Sequence, residues 1–87
     1  MNEDEAGVVL AALKTEWPAV RFAYDVSVDC ILAERSTGVL FLDTAGRHET
    51  PTLKWCASFG EHETLDRTPV RAVRLLCQRA GLQLGGL

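Results

Sequence analysis

Two adjoining segments near the C-terminal end constrain this chain most. Residues 53–59 alternate, with Leu53, Trp55, Ala57 and Phe59 on one face and Lys54, Cys56 and Ser58 on the other. That is the period of a half-buried strand. Residues 68–80 carry the signals of a helix. Thr68 is placed to cap free N–H groups, Pro69 takes the first helical position, where no N–H is missed, and Gly81 supplies a left-handed stop. A strand face bearing Trp and Phe, with a helix of broad apolar face packed on it, is a minimal two-layer core. Residues 60–67, between strand and helix, read as a loop.

The remainder of the chain completes that core. Asn2 is a capping residue, Glu5 stands where a capping box wants it, and Glu3, Asp4 and Glu5 suit the positive end of a helix dipole. Ala6, Val9, Leu10, Leu13 and Trp17 then recur at helical spacing, and Pro18 ends the helix. From Val20 the period becomes two. Val20, Phe22, Tyr24, Val26, Val28, Cys30 and Leu32 alternate with Arg21, Asp25, Ser27 and Asp29, predicting a long half-buried strand over 20–32, bent near 25–27, with a bulge or a split into two strands as alternatives. Residues 34–38 read as a turn, 39–42 as a central strand apolar on both faces, and 43–51 as a loop rich in turn formers. The expected fold is one α+β domain over 1–87. It is an α-β-β-β-α two-layer sandwich, an antiparallel meander of three or four strands with both helices on its apolar face. Leu82 and Leu84 of the tail are expected to tuck against the core.

Composition limits the classes of function. A hydrophobic content of 47% in 87 residues is ample for a single core. No apolar run approaches the ~20 residues of a spanning helix, so no membrane partner is expected. The acidic opening is unlike a secretory signal, and the three cysteines lack close pairing. A cytoplasmic location is the expectation. A net charge of −3 argues against a nucleic-acid binder that relies on bulk charge. The charge is uneven, however. Residues 1–30 set Glu3, Asp4, Glu5, Glu16, Asp25 and Asp29 against Lys14 and Arg21, whereas 61–87 set Glu61, Glu63 and Asp66 against Arg67, Arg71, Arg74 and Arg79.

Candidate chemistry is sparse. His48-Glu49 and His62-Glu63 invite a metal reading, but they flank a strand and would sit roughly 20 Å apart. Neither has the spacing of a zinc protease. Cys30, Cys56 and Cys77 lack zinc-ligand spacing. Cys30 and Cys77 read as small core hydrophobes, and Cys56, opposite in phase to Trp55, reads as the one exposed thiol. No base or oxyanion device pairs with it. No catalytic residue, metal or cofactor is expected.

On the last helix Ala72, Val73, Leu76, Cys77 and Ala80 cluster on one side, and Arg71, Arg74, Gln78 and Arg79 occupy the other. Leu75 falls within the arginine face, where a framed leucine suits a partner or a second copy of the chain. The six acids of residues 1–30 form the other candidate partner surface, able to occupy a nucleic-acid-binding site on a target by charge complementarity.

The order α-β-β-β-α resembles that of a double-stranded-RNA-binding domain, whose second helix begins with a lysine cluster. The matching stretch here, Asp66-Arg67-Thr68-Pro69-Val70-Arg71, lacks the lysines, so the resemblance implies the topology without the phosphate contacts that RNA reading needs. Trp55-x-Ala57-x-Phe59 followed by Thr68-Pro69-x-x-Ala72-Val73 is similar to the phage ABA-sandwich family of small phage proteins. That resemblance covers about a third of the chain, implies phage origin and an α+β sandwich, and brings no catalytic residues. The expected function is non-enzymatic: a small phage or mobile-element protein that binds another protein, most concretely an anti-CRISPR inhibitor of a bacterial defence (CRISPR-Cas) complex. The alternative is a nucleic-acid-binding module working through Arg67, Arg71, Arg74 and Arg79.

Overall fold

The structure is a computed structural model that describes residues 1–44 and 54–84. Helix α1 (Glu3–Glu16) leads into strands β1 (Ala23–Asp25), β2 (Cys30–Arg35), β3 (Gly38–Thr44), β4 (Trp55–Phe59) and β5 (His62–Asp66), and α2 (Pro69–Ala80) closes the chain. The strands form one antiparallel sheet in the order of the sequence. Helix α2 packs on β4 and β5, and α1 lies against β1 and α2. The architecture is the expected α+β sandwich, with five strands where three or four were anticipated.

Both extra strands have a physical reason. The alternation over 20–32 is not one strand but two, the split that stood as an alternative. It reverses at 26–29, and β1 pairs with β2 through Ala23↔Leu32, Tyr24↔Ile31 and Asp25↔Cys30. Side-chain hydrogen bonds of Asp25, Ser27 and Asp29 win the turn from the apolar pattern. Because the reversal holds an even number of residues, the facing parity flips. Ile31 and Ala33 join the core, while Leu32, expected inward, points to the outer face and is half-buried. Val26 and Val28, also expected inward, stand exposed on the turn. The second extra strand, β5, lies within the expected loop 60–67. It folds back on β4 through the two-residue reversal 60–61, with Gly60 at φ 59°, the left-handed geometry that such hairpins demand of their first position. Polar His62 and charged Glu63 disguised it, as suits a strand at the sheet's edge.

The expected turn over 34–38 shrinks to 36–37, since Glu34 and Arg35 extend β2 and Gly38 begins β3. Gly38 adopts φ 154° and lies under the Phe59 ring, where an added Cβ would come within 3.2 Å. β3 is central as expected, with Leu40 and Leu42 fully buried and Phe41 on the outer face. The core gathers Val9, Leu13, Val20, Phe22, Ile31, Ala33, Leu40, Leu42, Trp55, Ala57, Ala72, Val73, Leu76 and Leu84.

The helix ends follow local chemistry. Asn2 caps α1 by accepting the Glu5 N–H at 2.8 Å, and Trp17, at the C-cap, donates its N–H to the Leu13 carbonyl. The Glu5 side chain pairs with Lys54 at 2.9 Å. At α2, Thr68 accepts the Arg71 N–H, Pro69 opens the helix, and Gly81 ends it at φ 70°. The Thr64 hydroxyl donates to the Ala72 carbonyl at 2.6 Å, a buried bond that fastens β5 to α2. Leu84 of the tail is buried and Leu82 packs on the core, as expected. His48, Leu53 and the rest of 45–53 lie outside the described residues, and with them one of the two His-Glu pairs.

Candidate partner-binding surface

The β1–β2 reversal is the most elaborately held surface feature among the described residues. The Asp25 carboxylate accepts both the Ser27 N–H at 2.9 Å and the Ser27 hydroxyl at 2.6 Å. The Asp29 N–H donates to the Val26 carbonyl at 3.3 Å. Asp29 itself adopts φ 50°, a left-handed conformation that aspartate tolerates better than most residues. Its carboxylate accepts the Tyr24 hydroxyl at 2.6 Å and the Met1 amino group at 2.9 Å. The Met1 carbonyl lies 3.2 Å from the same hydroxyl, a weaker second acceptor for one proton. The start of α1 and the turn are thereby joined. Between the two aspartates, Val26 and Val28 are 66% and 58% exposed.

The electrostatics follow from these bonds. By accepting the Tyr24 hydroxyl, the Asp29 carboxylate holds that proton in place, and Tyr24 is pushed up to about 12, chiefly by its hydrogen bond to Asp29, then by burial and the nearby charges of Asp29 and Glu3. The same bond, followed by the Met1 amino group, holds Asp29 below the ordinary carboxylate range. Asp25 is lowered by the Ser27 hydroxyl and then by the Ser27 N–H. Both aspartates are therefore firmly anionic at neutral pH.

The six predicted acids divide. Glu3 and Asp4 in the first turn of α1 join Asp25 and Asp29 at one end of the molecule. Glu5 is drawn to Lys54 and Glu16 to Arg74, so neither belongs to that end as an open charge. The arginine face of α2 is equally engaged. Arg71 lies 3.7 Å from Asp66, Arg74 pairs with Glu16, and Arg79 donates to the Glu63 carbonyl at 2.8 Å. Leu75 sits among them half-buried and outside the hydrophobic core cluster.

Cys56, expected to be exposed, is 2% exposed. It does point opposite to Trp55, but Asp43 and Leu65 flank it on the neighbouring strands. Cys30 is also buried, though on the outer face, because of the parity flip. Burial pushes the half-buried Cys77 thiol up, away from reactivity. Among the described residues, no group of three or more His, Cys, Asp or Glu side chains is placed to hold a metal ion, and no helix is long and apolar enough to cross a membrane. His62 is exposed on β5.

Sequence reasoning missed Val26, Val28 and Phe41 as surface residues. The signals were present in Asp25-x-Ser27, which is turn chemistry, and in a strand of implausible length. Comparison of the chain with protein-family models, with curated proteins and with solved structures finds no match.

Proposed function

We propose that this chain acts by binding another protein, and that it presents the β1–β2 turn and the acidic start of α1 to that partner. One observation carries the reading: Val26 and Val28 are exposed on a turn whose shape is held by Asp25, Ser27, Asp29, Tyr24 and Met1. A preformed turn spends little entropy on ordering when it docks, and valine has few rotamers to lose. Glu3, Asp4, Asp25 and Asp29 around it favour a partner with a basic rim and an apolar notch, since opposite charges speed encounter and reject wrong partners.

The narrower version is an inhibitor of a bacterial nucleic-acid-handling defence complex, with the acids standing in for phosphates. It draws on the same acids and on the phage resemblance. The nucleic-acid-binding alternative asks Arg71, Arg74 and Arg79 to leave Asp66, Glu16 and the Glu63 carbonyl, which weakens it. Affinity recovery from a bacterial lysate at low and moderate salt tests the reading on the wild type and two variants. A protein retained by the wild type and lost with Val26→Ser/Val28→Ser supports it. Loss only in an Arg71→Ala/Arg74→Ala/Arg79→Ala variant moves the site to α2. Recovery of nothing at low salt counts against protein binding altogether.

A further inference from the structure

The outer face of the sheet is a second surface with a chemistry of its own. Both helices pack on the inner face, where the core lies. Following the strand registers across the opposite face gives a row Ala23, Leu32, Phe41, Ser58 and Glu63, with Glu34 and Val39 beside it. Phe41, on the central strand, is 42% exposed, and Leu32 and Val39 are half-buried without joining the core cluster. A merely solvated sheet face would alternate to polar residues at these positions. Asp25, Glu34, Asp43 and Glu63 share the face by alternation, and Arg21 stands at its rim. Arg21 closes a shallow groove of about 360 Å³ with Ala23, Leu32 and Glu34.

We infer that this face docks a protein segment that is apolar on one side and basic at its margins, such as an amphipathic Leu/Lys helix. Charge decides between occupants. Carboxylates around an apolar centre repel nucleic-acid phosphates and anionic lipid headgroups, and they oppose a two-fold pairing of the face with itself. They attract lysine and arginine at the edges of an apolar stripe. Five strands at ~4.8 Å spacing give a platform roughly 19 Å wide, room for a helix of ~10–12 Å diameter. The inference does not depend on the turn: apart from Asp25, which borders both, the two surfaces use different residues.

The test is an NMR titration of the full ¹⁵N-labelled chain with a 14-residue amphipathic Leu/Lys peptide and, separately, with its Leu/Glu counterpart. Saturable shifts at the amides of Ala23, Leu32, Val39 and Phe41 with the Leu/Lys peptide alone are expected. Phe41→Ser should weaken that binding roughly tenfold while the rest of the spectrum stays that of the folded chain. Leu32→Thr is the second variant should Phe41→Ser disturb folding. Equal response to both peptides, or none, overturns the inference. Shifts confined to the amides of Val26 and Val28 also overturn it, and leave the turn as the docking site. Sedimentation of the chain alone showing a dimer that Phe41→Ser abolishes assigns the face to a second copy. Binding to phosphatidylserine vesicles assigns it to lipid, and either result is equally fatal to the inference.

Discussion

The β4–β5–α2 side of the molecule and the α1–β1 corner are built from different forces. On the first side, Trp55, Ala57, Ala72, Val73 and Leu76 are buried together, and Thr64, the one buried polar residue among those described, is paired with the Ala72 carbonyl. At the corner, a three-residue strand ends in a turn whose ties among Met1, Tyr24 and Asp29 lie at the surface. Apolar burial neither titrates nor is screened by salt, whereas exposed charge-assisted hydrogen bonds are sensitive to both pH and ionic strength. Stability therefore concentrates on one side, and the conformation of the proposed recognition turn is set by titratable groups on the other.

The largest effect comes from breaking the buried side. Leu76→Ala removes a fully buried side chain and should cost about 2–5 kcal/mol in denaturant unfolding. For a domain of this size that is a large part of the total. Its neighbour provides the contrast. Leu75→Asp places a charge at a half-buried position outside the core, and its destabilisation should be clearly smaller. Equal losses would make Leu75 a core residue and remove it from any partner surface. If Leu75→Asp instead leaves stability intact but abolishes self-association or partner binding, the arginine-framed face regains its claim.

Gly38→Ala comes next. The new methyl meets the Phe59 ring at 3.2 Å, and φ 154° strains any residue with a Cβ. Together these should cost roughly 1–3 kcal/mol, measured by thermal or denaturant unfolding. A near-neutral result would mean that the Phe59 end of the sheet is looser than the rest of this side.

What could be read from the sequence divides along the same line. α1, α2, their caps and the inward set of β4 were legible because helical spacing and capping residues act locally. The central place of 39–42 was legible because apolar residues on both faces need neighbours. The strand count was not. A turn whose valines continue the alternation of β1 imitates a strand, and the pairing that ends it depends on Asp25 and Asp29 making hydrogen bonds that periodicity does not register. An edge strand with one buried side chain, Thr64, imitates a loop. The acids were recognised as a group, but not their division, because Lys54 and Arg74 reach Glu5 and Glu16 only through tertiary packing.

Asp29→Asn sharpens the comparison through pH. In the folded chain Asp29 is lowered, so its contribution is present above the carboxyl's unfolded pKa and lost as pH falls through the folded value. Tyr24 is raised to about 12, so its contribution is present below the ordinary tyrosine value of 10.0 and lost as pH rises toward 12. Unfolding free energy of the wild type should thus decline at both extremes. Asp29→Asn should flatten both arms and return the Tyr24 ultraviolet titration toward 10.0, with a smaller change at neutral pH than Gly38→Ala causes. Unchanged Tyr24 titration in the variant would show that the hydrogen bond does not hold the turn.

The smallest change in stability is expected where the proposed function is greatest. Val26→Ser/Val28→Ser replaces two side chains that are 66% and 58% exposed and contribute nothing to the core cluster, so unfolding should shift by no more than about 0.5 kcal/mol. The turn should survive, because its bonds come from Asp25, Ser27, Asp29 and Tyr24 and not from the valines. Tyr24 titration then serves as the internal control: it should stay near 12 in the double variant while affinity for the recovered partner drops. A drop in affinity together with a normal Tyr24 titration assigns the loss to the valine side chains themselves. A fall in the Tyr24 value would instead mean that the valines shape the turn, and the division between a stable side and a recognition corner would have to be redrawn.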